Sequence, residues 1–460
     1  MGWGSGWVMG RLRRNTGVAS RMGARLPFPR RLLEVSLIRS LMLSCAVAVG
    51  LVACDSGSGE QAGPAPAGDA PGLKTDVGVD AAAKLVRIGV LNDESGPAAP
   101  IGKPYAIGKR ILAAQVNAGG SGVLPDGWTV ELVERDHGYN PQNSVQAFNE
   151  IKDQVLFFGT SFGTPNTLPL VPMLERDGVV AFPASLSSKM AENAHTPPVG
   201  PSYAIEAHRA MDWIVESAGG TADIKAGIVY QQDDYGGDGL AGWQAAAERL
   251  GVSIVSEQTV APGQKDFAAV VTALKDAGAT HVLMTTLPSA TGPILGTAAQ
   301  LQYMPQWIGN TPAWIDSFFN PEVIPPVVFT NYSWVQGLPY WGETVAGMDA
   351  FTAAWTAHKS DGDAQNTYVL MSYVQGLIQL EALKRALDSG DATRAGFKAA
   401  LQGISGFDAG GLIQPVDLTS VPYTTGTRTR ILKPDFDAGS WTVVSDYADP
   451  QGPAAEPSEG

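Results

Sequence analysis

From residue 86 onward, apolar positions fall either into short continuous runs or into helical spacing, and the two kinds of pattern alternate. Val86, Ile88, Val90 and Leu91 make a run that fits a buried strand, which breaks at Asn92-Asp93-Glu94-Ser95-Gly96-Pro97, where turn residues take over. A helix is expected next. Pro104 suits its first turn, Ile107, Ile111 and Ala114 share one face at i, i+4 and i+7, and Gly119-Gly120 ends it. Such a strand, loop and helix unit belongs to parallel α/β sheets, whose ligands gather at the carboxyl ends of the strands.

The same alternation continues. Strands are expected at 130–134, 155–158 and 179–182, with helices at 142–152 and 168–176 between them. A second series follows, with strands at 228–230, 252–257, 281–284 and 307–308 and helices at 239–250, 266–277 and 289–301. The loops correspond as well: 92–102 answers to 232–242, the stretch from His137 to that from Val260, the stretch from Phe157 to that from Met284, and the stretch from Ala181 to that from Ile308. Two α/β lobes of one design, with their loop ends lining a shared cleft, are the fold this implies. After a strand at 327–335, the remaining chain supplies helices at 343–358, 367–387 and 394–401 and a closing hairpin at 428–444. The tail from Asp449 is rich in Pro, Ala, Glu and Gly and reads as disordered.

Composition changes the picture mainly at the amino terminus. Of the 460 residues, 44% are hydrophobic, enough for two substantial cores. An arginine-rich stretch precedes the apolar run from Leu41 to Ala53, which is short for a membrane span and has the order of a secretory signal. The run ends Leu51-Val52-Ala53-Cys54, which resembles the lipobox of bacterial lipoproteins; that resemblance implies cleavage before Cys54 and lipid attachment to its thiol. Cys45 would leave with the signal, so no disulfide is available to the mature chain. Residues 54–84 read as a flexible tether with a reach on the order of 30 Å. The leader carries eight arginines against one glutamate, so its removal takes the net charge from −14 to −21. That acidity argues against nucleic acid as a partner.

The motifs IGVLNDESGP, VERDHGYNPQ, FGTSFGTPNTLPLVP, GVVAFPASLSS, IVYQQDDYGGDG, VAPGQKDFAAVVTALKDAGATHVLM and TYVLMSYVQGL, in this order and spacing, resemble the periplasmic leucine/isoleucine/valine-binding protein family. These are the substrate-binding subunits of ABC transporters, and the resemblance spans Val86 to about Leu418. It implies an α/β type I periplasmic-binding fold: two Rossmann-like lobes with parallel sheets, joined by a three-crossover hinge. One lobe would comprise 86–204 plus 337–420 and the other 205–336 plus 421–448. The implied protein is exported and lipid-anchored to a bacterial membrane at Cys54, monomeric, without cofactor or catalysis. It would capture a small polar or amphipathic ligand, close about the hinge, and pass the ligand to an ABC permease with its ATPase subunits.

The resemblance also nominates contacts. Ser161 and Thr164 fall in the loop after the third strand, where the family holds a ligand carboxylate, with Phe162 between them. Ile101, Tyr235 and Tyr368 match positions that touch the ligand from three sides, and Thr286 and Thr311 fall in the corresponding loops of the second lobe. Two departures bear on the ligand. Leu186, flanked by Ser185 and Ser187, stands where amino-acid-binding members offer a threonine, and the loop 309–314 has no acid before Asp316 to pair an α-ammonium. An unpaired ammonium in a closed cleft is costly, which argues against a plain α-amino acid. Trp314 and Trp334, if they face the cleft, favour an apolar, aromatic or cationic ligand.

Two other readings compete. Gly159-Thr160-Ser161-Phe162-Gly163 is literally G-x-S-x-G, the nucleophile elbow of α/β-hydrolases, with Asp223 or Asp316 and His281 or His358 in the required chain order. Pro165, Pro169 and Pro172 crowd the helix that should follow such an elbow. The other reading is a ligand-sensing lipoprotein that does not transport. The five histidines show no paired metal-ligand spacing, and no phosphate-binding loop or dinucleotide fingerprint is present.

Overall fold

The computed structural model describes residues 72–119 and 123–451. The leader, Cys54, most of the tether and the chain beyond Gln451 lie outside the described residues. Two sheets organise the rest. In the first, β1 (Leu85–Asn92) pairs in parallel with both β2 (Thr129–Asp136) and β3 (Phe157–Phe162), and β3 pairs in parallel with β4 (Ala181–Ala184). A two-residue strand, Val79–Asp80, adds antiparallel to the start of β1.

The second sheet has seven strands: β5 (Lys225–Gln231), β6 (Ser253–Val260), β7 (His281–Thr285), β8 (Gln306–Gly309), β9 (Tyr332–Gln336), β10 (Thr429–Asp435) and β11 (Ser440–Ala448). Their spatial order is β11-β10-β9-β8-β7-β5-β6, parallel from β6 to β9 and antiparallel at β10 and β11. The buried strands are runs of Val, Ile, Leu and Phe, as a sheet covered on both faces requires. Helices α1 (Ala99–Asn117), α2 (Pro141–Ile151), α6 (Tyr203–Ala218), α7 (Asp234–Leu250), α8 (Ala268–Asp276), α9 (Pro288–Gln300), α10 (Met348–His358), α11 (Thr367–Asp388) and α12 (Arg394–Leu401) cover them, with short helical turns α3 (Thr164–Thr167), α4 (Val171–Asp177) and α5 (Ser188–Ala191) between.

Several elements differ from the sequence expectation, each for a local reason. Helix α1 starts at Ala99, with Pro100 in its first turn and Pro104 inside it, because the Asp93 carboxylate gathers the amides of Ser95, Gly96 and Ala98 and ends the loop early. The single helix expected at 168–176 is broken into α3, a 3₁₀ turn at Leu168–Leu170 and α4, since Pro165, Pro169 and Pro172 each withdraw a backbone donor. Pro325-Pro326 likewise replaces the first half of the strand expected at 327–335 with a 3₁₀ turn at Pro326–Phe329. Helix α6 is absent from the expected elements. Its signals are nonetheless present: Ser202 caps it through the Ile205 amide, Ala207, Ala210, Met211 and Ile214 form its buried stripe, and Gly219 at φ +71° ends it.

Candidate functional site

The carboxyl ends of both sheets point at one cavity. From the first lobe come Ile101 and Tyr105 on α1, Tyr139 ahead of α2, Phe162, Gly163 and Thr164 after β3, and Ala184, Ser185 and Leu186 after β4. From the second come Tyr203, Tyr235, Leu287, Thr311 and Pro312, while α11 adds Tyr368 and Met371. The free volume between these walls is about 40 Å³. The lobes are therefore closed on each other. Asp238 of α7 accepts from the Ser188 amide and hydroxyl of α5, Gln231 Nε2 reaches Tyr139 Oη at 3.2 Å, and Ser289 Oγ reaches the Pro97 carbonyl at 3.0 Å.

Local capping explains how three of the walls are delivered. Tyr203, Tyr235 and Tyr368 each sit in the first turn of a helix whose N-cap side chain holds a first-turn amide: Ser202 on Ile205, Asp233 on Tyr235 and Gly236, Asn366 on Tyr368. A capped first turn leaves its side chains at the mouth of the strand-to-helix loop. Tyr203 and Tyr235 meet edge to face at 4.8 Å, and Phe162 stands across from Tyr105 and Tyr139 at 6.1 and 6.5 Å. Gly163 adopts φ +88°, and a Cβ there would lie 2.7 Å from Asn166 Nδ2 and 2.8 Å from the Tyr139 ring, so only glycine lets the main chain pass this close to the cavity.

The polar groups are few. Thr164 Oγ1 and Ser185 Oγ share a hydrogen bond of 2.7 Å across the ends of β3 and β4. Three tyrosine hydroxyls are already committed: Tyr139 to Asp233 and Gln231, Tyr235 to Thr286 O and Asn310 Oδ1, Tyr368 to the Thr311 and Trp314 carbonyls. Among the described residues, the Tyr105 hydroxyl is buried without a partner. No charged side chain of the described residues lines the cavity.

One acid stands directly behind it. Glu206, fully buried on α6, meets the Thr311 amide at 3.0 Å and the Thr311 hydroxyl, and that hydroxyl also lies 3.3 Å from Gln336 Oε1. A single threonine proton cannot serve both oxygens; a protonated Glu206 that donates to Thr311, which in turn donates to Gln336, satisfies all three groups. Burial accordingly pushes the Glu206 carboxyl up to about 8. Desolvation raises Asp233 as well, and Asp238 to about 6.

Of the residues nominated from sequence, Ile101, Phe162, Thr164, Ser185, Leu186, Tyr235, Thr311 and Tyr368 meet at the cavity. The others do not. Ser161 lies within β3, paired with Leu91 and Pro183, and its hydroxyl bonds Thr167 Oγ1 at 2.8 Å; the G-x-S-x-G stretch thus runs along a strand and forms no elbow. Thr286 turns its hydroxyl to Thr291 at 2.7 Å, and Ser187 lines a different cavity. Trp314 packs in the second lobe's core against Phe319, Phe329 and Trp441. Trp334 stacks on Trp441 and donates to the carbonyls of Asn310 and Thr311, so it supports the Thr311 loop from behind. Sequence reasoning missed Tyr105, Tyr139, Tyr203, Leu287, Pro312 and Met371. Tyr203 could have been found from the Ser202 cap of α6, and Tyr105 from its spacing of four after Ile101. No group of three or more His, Cys, Asp or Glu among the described residues could hold a metal ion.

The matched family model is that of the periplasmic binding protein, over residues 85–429. The chain belongs to that family. An amino acid binding protein of Pseudomonas aeruginosa is 27% identical over 216 residues, 46% of this chain and 56% of the relative. The chain spans about half the length of the curated relatives it matches. Among solved structures, a fatty acid ABC transporter substrate-binding protein from Thermomonospora curvata superposes with a TM-score of 0.79 at 23% identity, over 85% of this chain and 99% of that one. A branched chain amino acid ABC transporter protein from Thermus thermophilus with bound valine gives 0.71 at 19% identity, over 79% and 96%. The architecture is the type I periplasmic-binding fold: two lobes, each built on a largely parallel sheet. In that family setting the unpartnered Tyr105 hydroxyl is the feature most open to test. Tyr105→Phe is expected to leave the ligand-free protein as stable or slightly more so, because an orphaned buried hydroxyl is removed, and to weaken ligand binding by about tenfold, a loss of about 1.4 kcal/mol. Urea unfolding and calorimetric titration check the two halves separately.

Proposed function

We propose that the protein is the substrate-binding component of an ABC importer: an exported lipoprotein, anchored through Cys54, that captures a small amphipathic molecule between its lobes and presents it to a membrane permease. The observation that carries this reading is the cavity itself, with walls drawn from both lobes and from α11, aromatic on most sides, and with hydroxyl donors on one. Opening about the segments near 204, 336 and 420 would admit the ligand, and closure would bury it and reshape the surface a permease meets.

The lining also speaks to ligand class. Tyr105 can donate, and so can one of Thr164 and Ser185, whose shared hydrogen bond uses the other's proton, which suits a carboxylate or carboxamide head; the aromatic and aliphatic walls suit an apolar body. A protonated Glu206, engaged with Thr311, whose hydroxyl in turn donates to Gln336, offers no carboxylate to an α-ammonium. Anchoring and delivery are supported by the order of the leader residues and by family membership; no described helix is long and apolar enough to cross a membrane.

A thermal-shift screen of the protein from Asp55 onward against amino acids, amides, short carboxylates, aromatic acids and quaternary amines tests the reading. A ligand at a hundred times its dissociation constant adds about 2.7 kcal/mol of stability, readily seen as a raised melting temperature. Silence across the whole panel, together with ester hydrolysis that Ser161→Ala abolishes, would overturn it.

A further inference from the structure

A second cavity, of about 310 Å³, lies against the first. Three stretches build it: the turn after β4, the segment leading into α6, and residues 422–427. Ala191, Pro198, Ala204, Ile205, Pro422 and Tyr423 give it a mainly apolar surface. Its walls are tied down by main-chain and side-chain bonds, with the Tyr423 amide on the Ala191 carbonyl at 2.8 Å, Tyr423 Oη on the Ala194 carbonyl at 2.9 Å, and Thr425 Oγ1 on the Gly200 carbonyl at 2.9 Å. These bonds fix the walls, while the exposed Glu192, Pro422, Thr424 and Thr427 leave the far end open to solvent.

What separates the two cavities is thin. Leu186 lines both, and its carbonyl takes the amide of Tyr203, the residue between Ser202 and Ala204 that faces the first cavity while those two neighbours face the second. The head-group donors lie on the small side of this partition, where the space is about 40 Å³, and the apolar volume lies on the other. We infer that the ligand is a long-chain amphiphile whose acceptor head sits at Thr164, Ser185 and Tyr105 and whose unbranched apolar chain passes Leu186 into the second cavity.

The inference rests on the binding-protein reading above and narrows it to a substrate class. The passage runs past the Leu186 side chain, which lines both cavities, while its carbonyl holds the wall to Tyr203. Glu192 lines the second cavity, so a ligand carrying a carboxylate at its far end would meet a like charge there and be disfavoured.

Calorimetric titration of the full mature chain with butanoate, hexanoate, octanoate, decanoate, decanedioate and leucine tests it. Affinity is expected to rise about fourfold per added methylene from butanoate to decanoate, with decanedioate binding far more weakly than decanoate. Ile205→Glu and Ala191→Trp, which alter only the second cavity, should remove the gain beyond hexanoate and leave butanoate binding unchanged; retained butanoate binding also reports that each variant is folded. Affinity that is flat or falling beyond butanoate, or variants that hold decanoate as well as the parent does, would overturn the chain-passage proposal while a bound leucine or butanoate left the receptor reading standing. If neither the acids nor leucine nor any compound of the wider screen bound, the receptor reading itself would fall.

Discussion

Replacing Trp314 by alanine is expected to lower the unfolding free energy by about 3–5 kcal/mol, the usual cost of deleting a large aromatic from a packed core, and to leave ligand affinity nearly unchanged. The indole is fully buried, and Phe318, Phe319, Phe329, Tyr332 and Trp441 stand around it with ring centroids 4.5 to 5.7 Å away. Its ring nitrogen donates to Asp316 Oδ1 at 3.1 Å, and Asp316 in turn receives the Thr367 amide and hydroxyl at the start of α11. The only part of Trp314 that touches the candidate site is its main-chain carbonyl, which holds the Tyr368 hydroxyl at 3.0 Å and survives the substitution. Urea midpoints and calorimetry on the folded variant separate the two effects. A large loss of affinity with little loss of stability would mean that the indole serves the ligand and not the core.

Glu206→Gln is expected to flatten the pH dependence of stability between about pH 5 and 8. The carboxyl is raised by burial from its ordinary 4.5 to about 8 in the folded protein. The folded state thus holds this proton more tightly than the unfolded chain, so the group's contribution is fully present below pH 4.5 and is lost as the pH climbs to 8. Each pH unit in that window costs up to about 1.4 kcal/mol, several kcal/mol in all. A glutamine amide donates to Thr311 Oγ1 and its oxygen accepts from the Thr311 amide, reproducing the protonated acid without a titrating proton. Asp238, raised to about 6, titrates in both proteins and adds a shared slope only at the acid end of the window. Chemical unfolding of the parent and variant at pH 5, 6, 7 and 8 checks this; parallel curves would show that Glu206 is ionised throughout, and with it that a carboxylate is available beside Thr311 to an ammonium.

Part of the candidate site is legible in the residue order. Ile101, Thr164, Ser185, Leu186, Tyr235, Thr311 and Tyr368 are placed by the family resemblance of the motifs that carry them, and most of those motifs follow a strand-like run, where loops carry ligands in this kind of sheet. Ser161 and Trp314 escape for opposite reasons. A strand buried on both faces can run on past its most apolar residues, so β3 extends through Ser161 to Phe162 although the apolar run stops at Phe158. A tryptophan in a site loop carries no sign of which way its ring turns, and here the loop faces the cavity with Thr311 and the core with Trp314.

By itself, the order of residues determined the alternation of strands and helices, the two-lobed plan and the net acidity, because these depend on local periodicity and summed charge. Tertiary structure alone decided the rest. Which of the five cavity tyrosines keeps a free hydroxyl depends on partners up to 94 residues away, as with Asp233 and Tyr139. Whether Glu206 is charged depends on its burial and on the Thr311 group that meets it there, which Gln336 engages in turn. A second cavity sharing Leu186 with the first exists only because residues 186–192, 198–205 and 422–427, distant in the chain, pack around one void. Desolvation and void shape are properties of packed surroundings, and no window of sequence contains them.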